Sequence, residues 1–246
     1  KGLSLWMVGG EVGWMLSPIL IIAFINAFSF KKIPYLIIPT ALITALLYFR
    51  LKKIDGVRNH VKITNGSASA SLKATLPILV PMIALAITRS MIQSTTSVYV
   101  PTYLTEMGAN LWLAGATLSL TTGGGVLGAI AGGIYKDKVG GKPVLFASMV
   151  GSVIFFFLFL YSTQFLQITA LFFTGFFSGL YLPVALAMVQ EYSPENRSFA
   201  TGIYQAFLFT IGSVASMTIG YLYDRLGAQP TFTICGIVGL IGVIFV

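Results

Sequence analysis

Eight long apolar runs, separated by short polar segments, set the pattern of this chain: residues 3–28, 33–49, 74–104, 111–135, 143–161, 165–189, 199–222 and 230–246. A helix that crosses a bilayer needs about 20 apolar residues, within a range near 17–25. The runs therefore predict about eight transmembrane helices, the second and the last being short. Pro18, Pro77, Pro81 and Pro183 fall inside runs. Packed neighbours satisfy the carbonyls that a membrane-embedded proline frees, so the helices are expected to continue through them. Residues 50–73 form the long polar stretch, with Gly66, Ser67, Ser69 and Ser71 set among charges. That composition reads as a linker between two membrane bundles, 1–49 and 74–246.

Composition agrees with a lipid solvent. Of 246 residues, 56% are hydrophobic and 9% are charged, against roughly 25% charged in an ordinary soluble domain. The net charge of +8 does not imply a nucleic-acid partner, because the cations sit in the short loops that orient membrane proteins. Arg50, Lys52, Lys53, Arg58, Lys62, Lys73, Lys136, Lys138, Lys142 and Arg197, with Lys1, make eleven on one side, against Lys31, Lys32 and Arg225 on the other. The richer side, linker 50–73 included, is expected to face the cytoplasm of a cell membrane. The sequons at Asn65 and Asn196 then face inward and are not expected to be glycosylated. A single cysteine, Cys235, excludes an intrachain disulfide. The chain begins at Lys1 without a methionine and enters a span at once, which reads as a fragment of a longer protein.

The last six runs contain a repeat. Gly133-Ile134-Tyr135-Lys136-Asp137-Lys138-Val139-Gly140 and Gly220-Tyr221-Leu222-Tyr223-Asp224-Arg225-Leu226-Gly227 share the form G-x-x-x-D-[K/R]-[V/L]-G, 87 residues apart. That separation is three spans, an odd number, so the copies lie on opposite membrane faces. Such an inverted three-plus-three repeat is a signature of secondary carriers.

Residues 132–142, Gly-Gly-Ile-Tyr-Lys-Asp-Lys-Val-Gly-Gly-Lys, resemble the cytoplasmic loop motif G-x-x-x-D-R-x-G-R-K of the major facilitator superfamily, with Lys138 for the first Arg and Gly141 for the second. Met7 to Pro18, with its spaced glycines, resembles that family's antiporter motif, Ser17 replacing the last glycine. With residues 190–202 it is most similar to the fosmidomycin-resistance type of efflux carrier. The resemblance implies an all-α polytopic helical bundle in which 1–49 holds the last two helices of the N-terminal half. Residues 74–246 would form the whole C-terminal half, and the first four helices would belong to the same protein or to a separate chain.

Arg89 is the most informative single position, lying in the middle of the third run. A bare guanidinium there costs at least about 2.5–3.5 kcal/mol, so it must face a cavity or a partner. At 100° per residue Arg89, Gln93, Thr96 and Tyr103 share one stripe. Two readings stand: a cavity stripe that meets an anionic group, or a structural arginine bonded to helix carbonyls. Glu11 is the acid well inside a span. It reads either as a proton-coupling carboxylate or as a snorkelling surface acid. Gly9, Gly13 and Ser17 on the other face suit a close helix contact. Tyr181, and Gln205 with its neighbour Tyr204, are further pathway candidates, and Tyr181, Phe176 and Phe177 read either as lining a cavity or as facing lipid and neighbouring helices. Gly133, Asp137, Lys138, Gly140, Glu191 and Arg197 read as a cytoplasmic gate, the role the resemblance implies for the loop motif, or as orientation signals alone. Gly123 to Gly125, Gly128, Gly132, Gly133, Gly175 and Gly179 read as packing faces.

The sequence carries no phosphate-binding G-x-x-x-x-G-K-[S/T], no His or Cys cluster at metal spacing and no nucleophile motif. No cofactor, metal or enzymatic activity is therefore expected. The expected partners are the lipid bilayer, a small-molecule substrate and protons. The leading expectation is a proton-coupled exporter of small amphipathic or anionic compounds working by alternating access. An organic-anion uptake or exchange carrier, and a non-transporting membrane partner, are the alternatives.

Overall fold

Every apolar run folds as helix in the computed structural model, which describes residues 2–52, 68–162, 164–194 and 197–244. The order is α1 (Gly2–Phe28), a 3-10 segment (Phe30–Leu36), α2 (Ile37–Leu51), α3 (Ala68–Ser94), a π-turn (Thr95–Tyr99) and α4 (Val100–Glu106). Then come α5 (Leu111–Val139), α6 (Gly141–Tyr161), α7 (Gln164–Tyr192), α8 (Arg197–Leu226) and α9 (Ala228–Ile244). Among the described residues six helices are long and apolar enough to cross a membrane, and Val12–Phe28 and Ala228–Ile244 are shorter apolar helices. Pro18, Pro77, Pro81 and Pro183 lie inside α1, α3 and α7 without ending them. Pro34 instead sits in the 3-10 segment that leads into α2. Linker residues 53–67, Asn196 and the side chain of Glu11 lie outside the described residues.

The tightest pair is α5 with α7, and its cause is visible in the glycines. A Cβ on Gly128 would collide with the carbonyl of Phe176, and one on Gly179 with that of Gly125. Small residues on both faces let the backbones touch, which is how dispersion drives helix association in lipid. The α1 helix packs along α5 in the opposite sense: Gly115 and Gly123 of α5 accept Ile22 and Met15 of α1. The expected glycine face of α1 is therefore not the contact face here, since Gly9, Gly10 and Gly13 have nothing within 4 Å of an added Cβ. The α2 helix exposes its whole apolar surface, Leu42, Leu46 and Leu47 included.

Two apolar clusters fill the six-helix part. One gathers Leu79, Met82, Leu85, Leu145, Met149, Val184 and Leu186; the other gathers Ile92, Val100, Val153, Phe156, Phe159, Leu171 and Phe232. Buried polar residues accompany them: Thr88, Ser90, Ser94, Thr95 and Thr96 on the third span, Ser148 and Ser152 on α6, and Thr174 and Ser178 on α7. Most of these hydroxyls donate to their own helix, as Thr96 Oγ1 does to Ile92 O at 3.0 Å and Thr174 Oγ1 to Ala170 O at 2.8 Å. Arg89 lies beside Ser178 of this set.

Candidate functional site

Arg89 is half-buried on α3 and is held on three sides. One Nη donates to the backbone carbonyl of Ser178 at 3.2 Å and to Gln93 Oε1 at 3.4 Å. The guanidinium carbon lies 4.8 Å from the ring centroid of Tyr181. A carbonyl from α7 and an aromatic face together offset much of the cost of an arginine at this depth, the ring alone contributing about 0.5–2 kcal/mol. Gln93 is fixed in turn: its Oε1 also accepts from Ser178 Oγ at 2.8 Å, and its Nε2 donates to Ser97 Oγ at 3.0 Å. The amide therefore joins α3 to α7 with its orientation set at both ends.

Beneath the arginine sits a pair of tyrosines. Tyr181 and Tyr204 are both fully buried, and their hydroxyls are 2.7 Å apart. Tyr181 donates to the carbonyl of Met82 at 3.2 Å, which leaves Tyr204 as the donor to Tyr181. This relay ties α3, α7 and α8 together under Arg89.

Arg89, Gln93 and Thr96 open onto a cavity of about 50 Å³ with Thr121, Thr122 and Gly125 of α5 and Ser178, Gly179 and Pro183 of α7. Thr121 and Thr122 donate to Thr117 O and Leu118 O of their own helix, both at 2.9 Å, so they turn oxygen lone pairs toward the space. Among the described residues, the cavity thus offers the Arg89 cation and several hydroxyl oxygens, with no acid in its lining. Roughly 300–1,000 Å³ is usual for a drug-sized ligand, so this space is too small to enclose one by itself.

Of the stripe read from the sequence, Arg89, Gln93 and Thr96 meet at the cavity, but Tyr103 does not. The π-turn at Thr95–Tyr99 inserts a residue into the helical count, and such turns reset the face that follows. Tyr103 is sent to a second cavity of about 410 Å³, with Phe159, Gln167, Gln229 and Phe232. Tyr181 lies under Arg89 rather than on the cavity wall, and Phe176 and Phe177 border an apolar groove beside Val144 and Ala147. Gln205 is half-buried and stands beside Tyr204, which is the α8 residue that reaches the arginine cluster. Asn110 caps α5 by accepting from the Leu113 amide at 2.8 Å.

At the loop motif, Lys136 of α5 forms an ion pair with Glu191 of α7. The lysine is mostly covered and the carboxylate exposed, with side-chain exposures of 13% and 60%. Asp137, Lys138 and Arg197 are exposed on the same face, and Gly133 is buried. Gly140 closes α5 with a φ of 89°, its amide donating to Lys136 O at 3.0 Å. Lys136 was not among the gate residues read from the sequence. It sits one turn before the motif glycine Gly140, whereas Lys138 is exposed.

The sequence model of the Major Facilitator Superfamily matches residues 1–141 and 124–246, which together cover the whole chain. The "Fosmidomycin resistance protein" of Escherichia coli (strain K12) is 21% identical over 248 residues, covering 98% of this chain and 60% of that protein. The "Organic cation transporter-like protein" of Drosophila melanogaster is 29% identical over 130 residues, 52% of this chain and 23% of that protein. Among solved structures, the transporter FucP in the outward conformation superposes with a TM-score of 0.60 at 18% identity, over 76% of this chain and 46% of FucP. The chain thus spans less than two thirds of each of these relatives.

Proposed function

Because the chain belongs to the major facilitator superfamily, a family of secondary carriers and not of enzymes, we propose that its protein is a proton-coupled exporter of small anionic or amphipathic compounds. The observation that carries this reading is the Arg89 cavity. A guanidinium held by Ser178 O, Gln93 and Tyr181 is preorganised toward a space lined by hydroxyl oxygens. It attracts an anion, and the threonine lone pairs accept from a hydroxyl or amide on the same ligand. An organic cation is disfavoured by the same charge, whatever the substrate of the Drosophila relative. Efflux is the direction that the name of the Escherichia coli relative favours.

In this reading the half-site on α3, α5 and α7 is completed by helices from the other half of the protein. The two halves rock about the midplane, the alternating access of such carriers. Glu11 on α1 is the proton-coupling candidate, since α1 packs along α5, one wall of the cavity. Lys136 and Glu191, with Gly133, Asp137, Lys138, Gly140 and Arg197 around them, form the cytoplasmic gate. The linker 50–73 joins the halves on that side.

The test is a pH-jump flux assay on the full-length protein in proteoliposomes, over a panel of small organic anions, neutral amphiphiles and cations. The expected result is pH-gradient-driven movement of anionic or amphipathic compounds, lost in Glu11→Gln. Anion movement that needs only a substrate gradient would favour an exchange carrier. No flux of any panel member, from intact and folded protein, would favour a non-transporting membrane partner.

A further inference from the structure

The two copies of the repeated motif are equivalent in structure as well as in sequence. Gly140 and Gly227 both take positive φ, 89° and 78°. Each amide donates to the carbonyl of the residue four earlier, Lys136 at 3.0 Å and Tyr223 at 2.9 Å. Those two residues occupy the same place, fourth in the motif. Their side chains also do the same thing. Lys136 reaches Glu191, at the end of the first helix of the second repeat. Tyr223 donates to Glu106 Oε2 at 2.6 Å, at the end of the first helix of the first repeat. Each repeat thus fastens its second helix to the opening helix of the other, once on each membrane face.

The two fastened pairs differ in what else holds them. The α5–α7 pair is closed by direct glycine-to-backbone contact along its length. The pairing of α8 with α3 and α4 adds polar rungs to the buried apolar residues Ala215 and Ile219: Ser94 Oγ to Gly212 O at 3.5 Å, Tyr99 Oη to Ser216 O at 2.6 Å, then Tyr223 to Glu106. The last two lie at and beyond the π-turn, where regular α3 has ended. Tyr99 and Tyr223 also lie against each other, with ring centroids 5.6 Å apart, and Tyr223 touches Phe232 at 5.9 Å.

We propose that Tyr223 and Glu106 form a latch on the face opposite Lys136–Glu191, positioning α8 against the outer end of the third span. The hydroxyl-rung pair opens at its end when this bond is lost. The latch governs how far α8 separates from α4 on that face, and so whether motion of the cavity-lining third span is passed to α8. The consequence for transport rests on the carrier reading above; the latch itself does not.

The test uses the full-length protein in vesicles, spin-labelled at cysteines replacing Thr102 on α4 and Thr218 on α8, both exposed, with the distance distribution read without substrate. Tyr223→Phe is expected to lengthen and broaden it. Tyr223→Lys, which installs the residue of the other copy opposite Glu106, is expected to restore the narrow wild-type distribution, and adding Glu106→Gln to Tyr223→Lys is expected to broaden it again. Labels flanking Lys136 and Glu191 should not move in any of these variants. A wild-type distribution in Tyr223→Phe, or no restoration in a Tyr223→Lys protein of wild-type thermal stability, overturns the proposal. Because no substrate enters the measurement, its failure is separable from failure of the transport reading.

Discussion

Arg89 lies over the face of Tyr181, 4.8 Å from guanidinium carbon to ring centroid, while the hydroxyl at the far end of that ring is buried 2.7 Å from that of Tyr204. The arginine therefore rests on a platform fixed from below by three helices.

The relay of hydroxyls makes an ordered prediction. Tyr204 donates to Tyr181, and Tyr181 donates to Met82 O. Tyr181→Phe orphans the buried phenol donor of Tyr204, costing about 1–3 kcal/mol. Tyr204→Phe leaves the Tyr181 donor satisfied and costs about 0.5–1.5 kcal/mol. Thermal unfolding in detergent should rank Tyr181→Phe as the less stable variant, and the reverse order would contradict the relay.

Glycines of the α5–α7 contact should behave unlike those in open space. Gly128→Ala drives a methyl into the Phe176 carbonyl, and backbone cannot move aside; a loss of roughly 1–3 kcal/mol is expected, as for overpacking elsewhere. Gly202→Ala on α8 meets nothing within 4 Å and should gain about 0.5–1 kcal/mol from helix propensity. Paired denaturation curves check both signs.

For Lys136 and Glu191, one exposed partner limits the stability at stake to about 1 kcal/mol or less. Lys136→Ala should therefore unfold close to wild type, yet raise the reactivity of a cysteine at Ser178 toward an impermeant maleimide applied from the gate face. The exchange Lys136→Glu with Glu191→Lys should return that reactivity to the wild-type level. Unchanged labelling in the single variant would leave the pair without a gating role.

Much of this fold was legible in the sequence, because each feature follows from one local rule. Run lengths marked the helices, helix continuation through Pro77, Pro81 and Pro183 followed from membrane packing, and Gly124, Gly128, Gly132, Gly175 and Gly179 marked packing faces on two spans, though not that the two faces meet. At the cavity, Arg89, Gln93 and Thr96 came together because three and four residues make a turn of helix. Tyr103 left that stripe because a π-turn changes the count, and nothing in Thr95–Tyr99 signals one in advance. On α8 the residue beneath Arg89 is Tyr204 and not its neighbour Gln205, since the phase of a helix with polar residues all round is set only by its packing. Lys136, rather than Lys138, pairs with Glu191 for a related reason: all three motif charges are adjacent, and side-chain direction decides among them. Glu106 and Tyr223 were present in the repeat and its flank, but their equivalence to Lys136 and Glu191 joins a phenol to a carboxylate where the other copy has an ion pair.

The claim at the centre of the account is that the charge of Arg89 receives the anionic part of the cargo, and its most direct test is flux in the full-length protein carrying Arg89→Lys or Arg89→Met. Both variants keep a long side chain beside Tyr181, so their unfolding temperatures should stay close to one another. The account predicts measurable organic-anion transport with lysine and a loss of tenfold or more with methionine, on the order of 1.4 kcal/mol or above. Wild-type anion transport by Arg89→Met would contradict it.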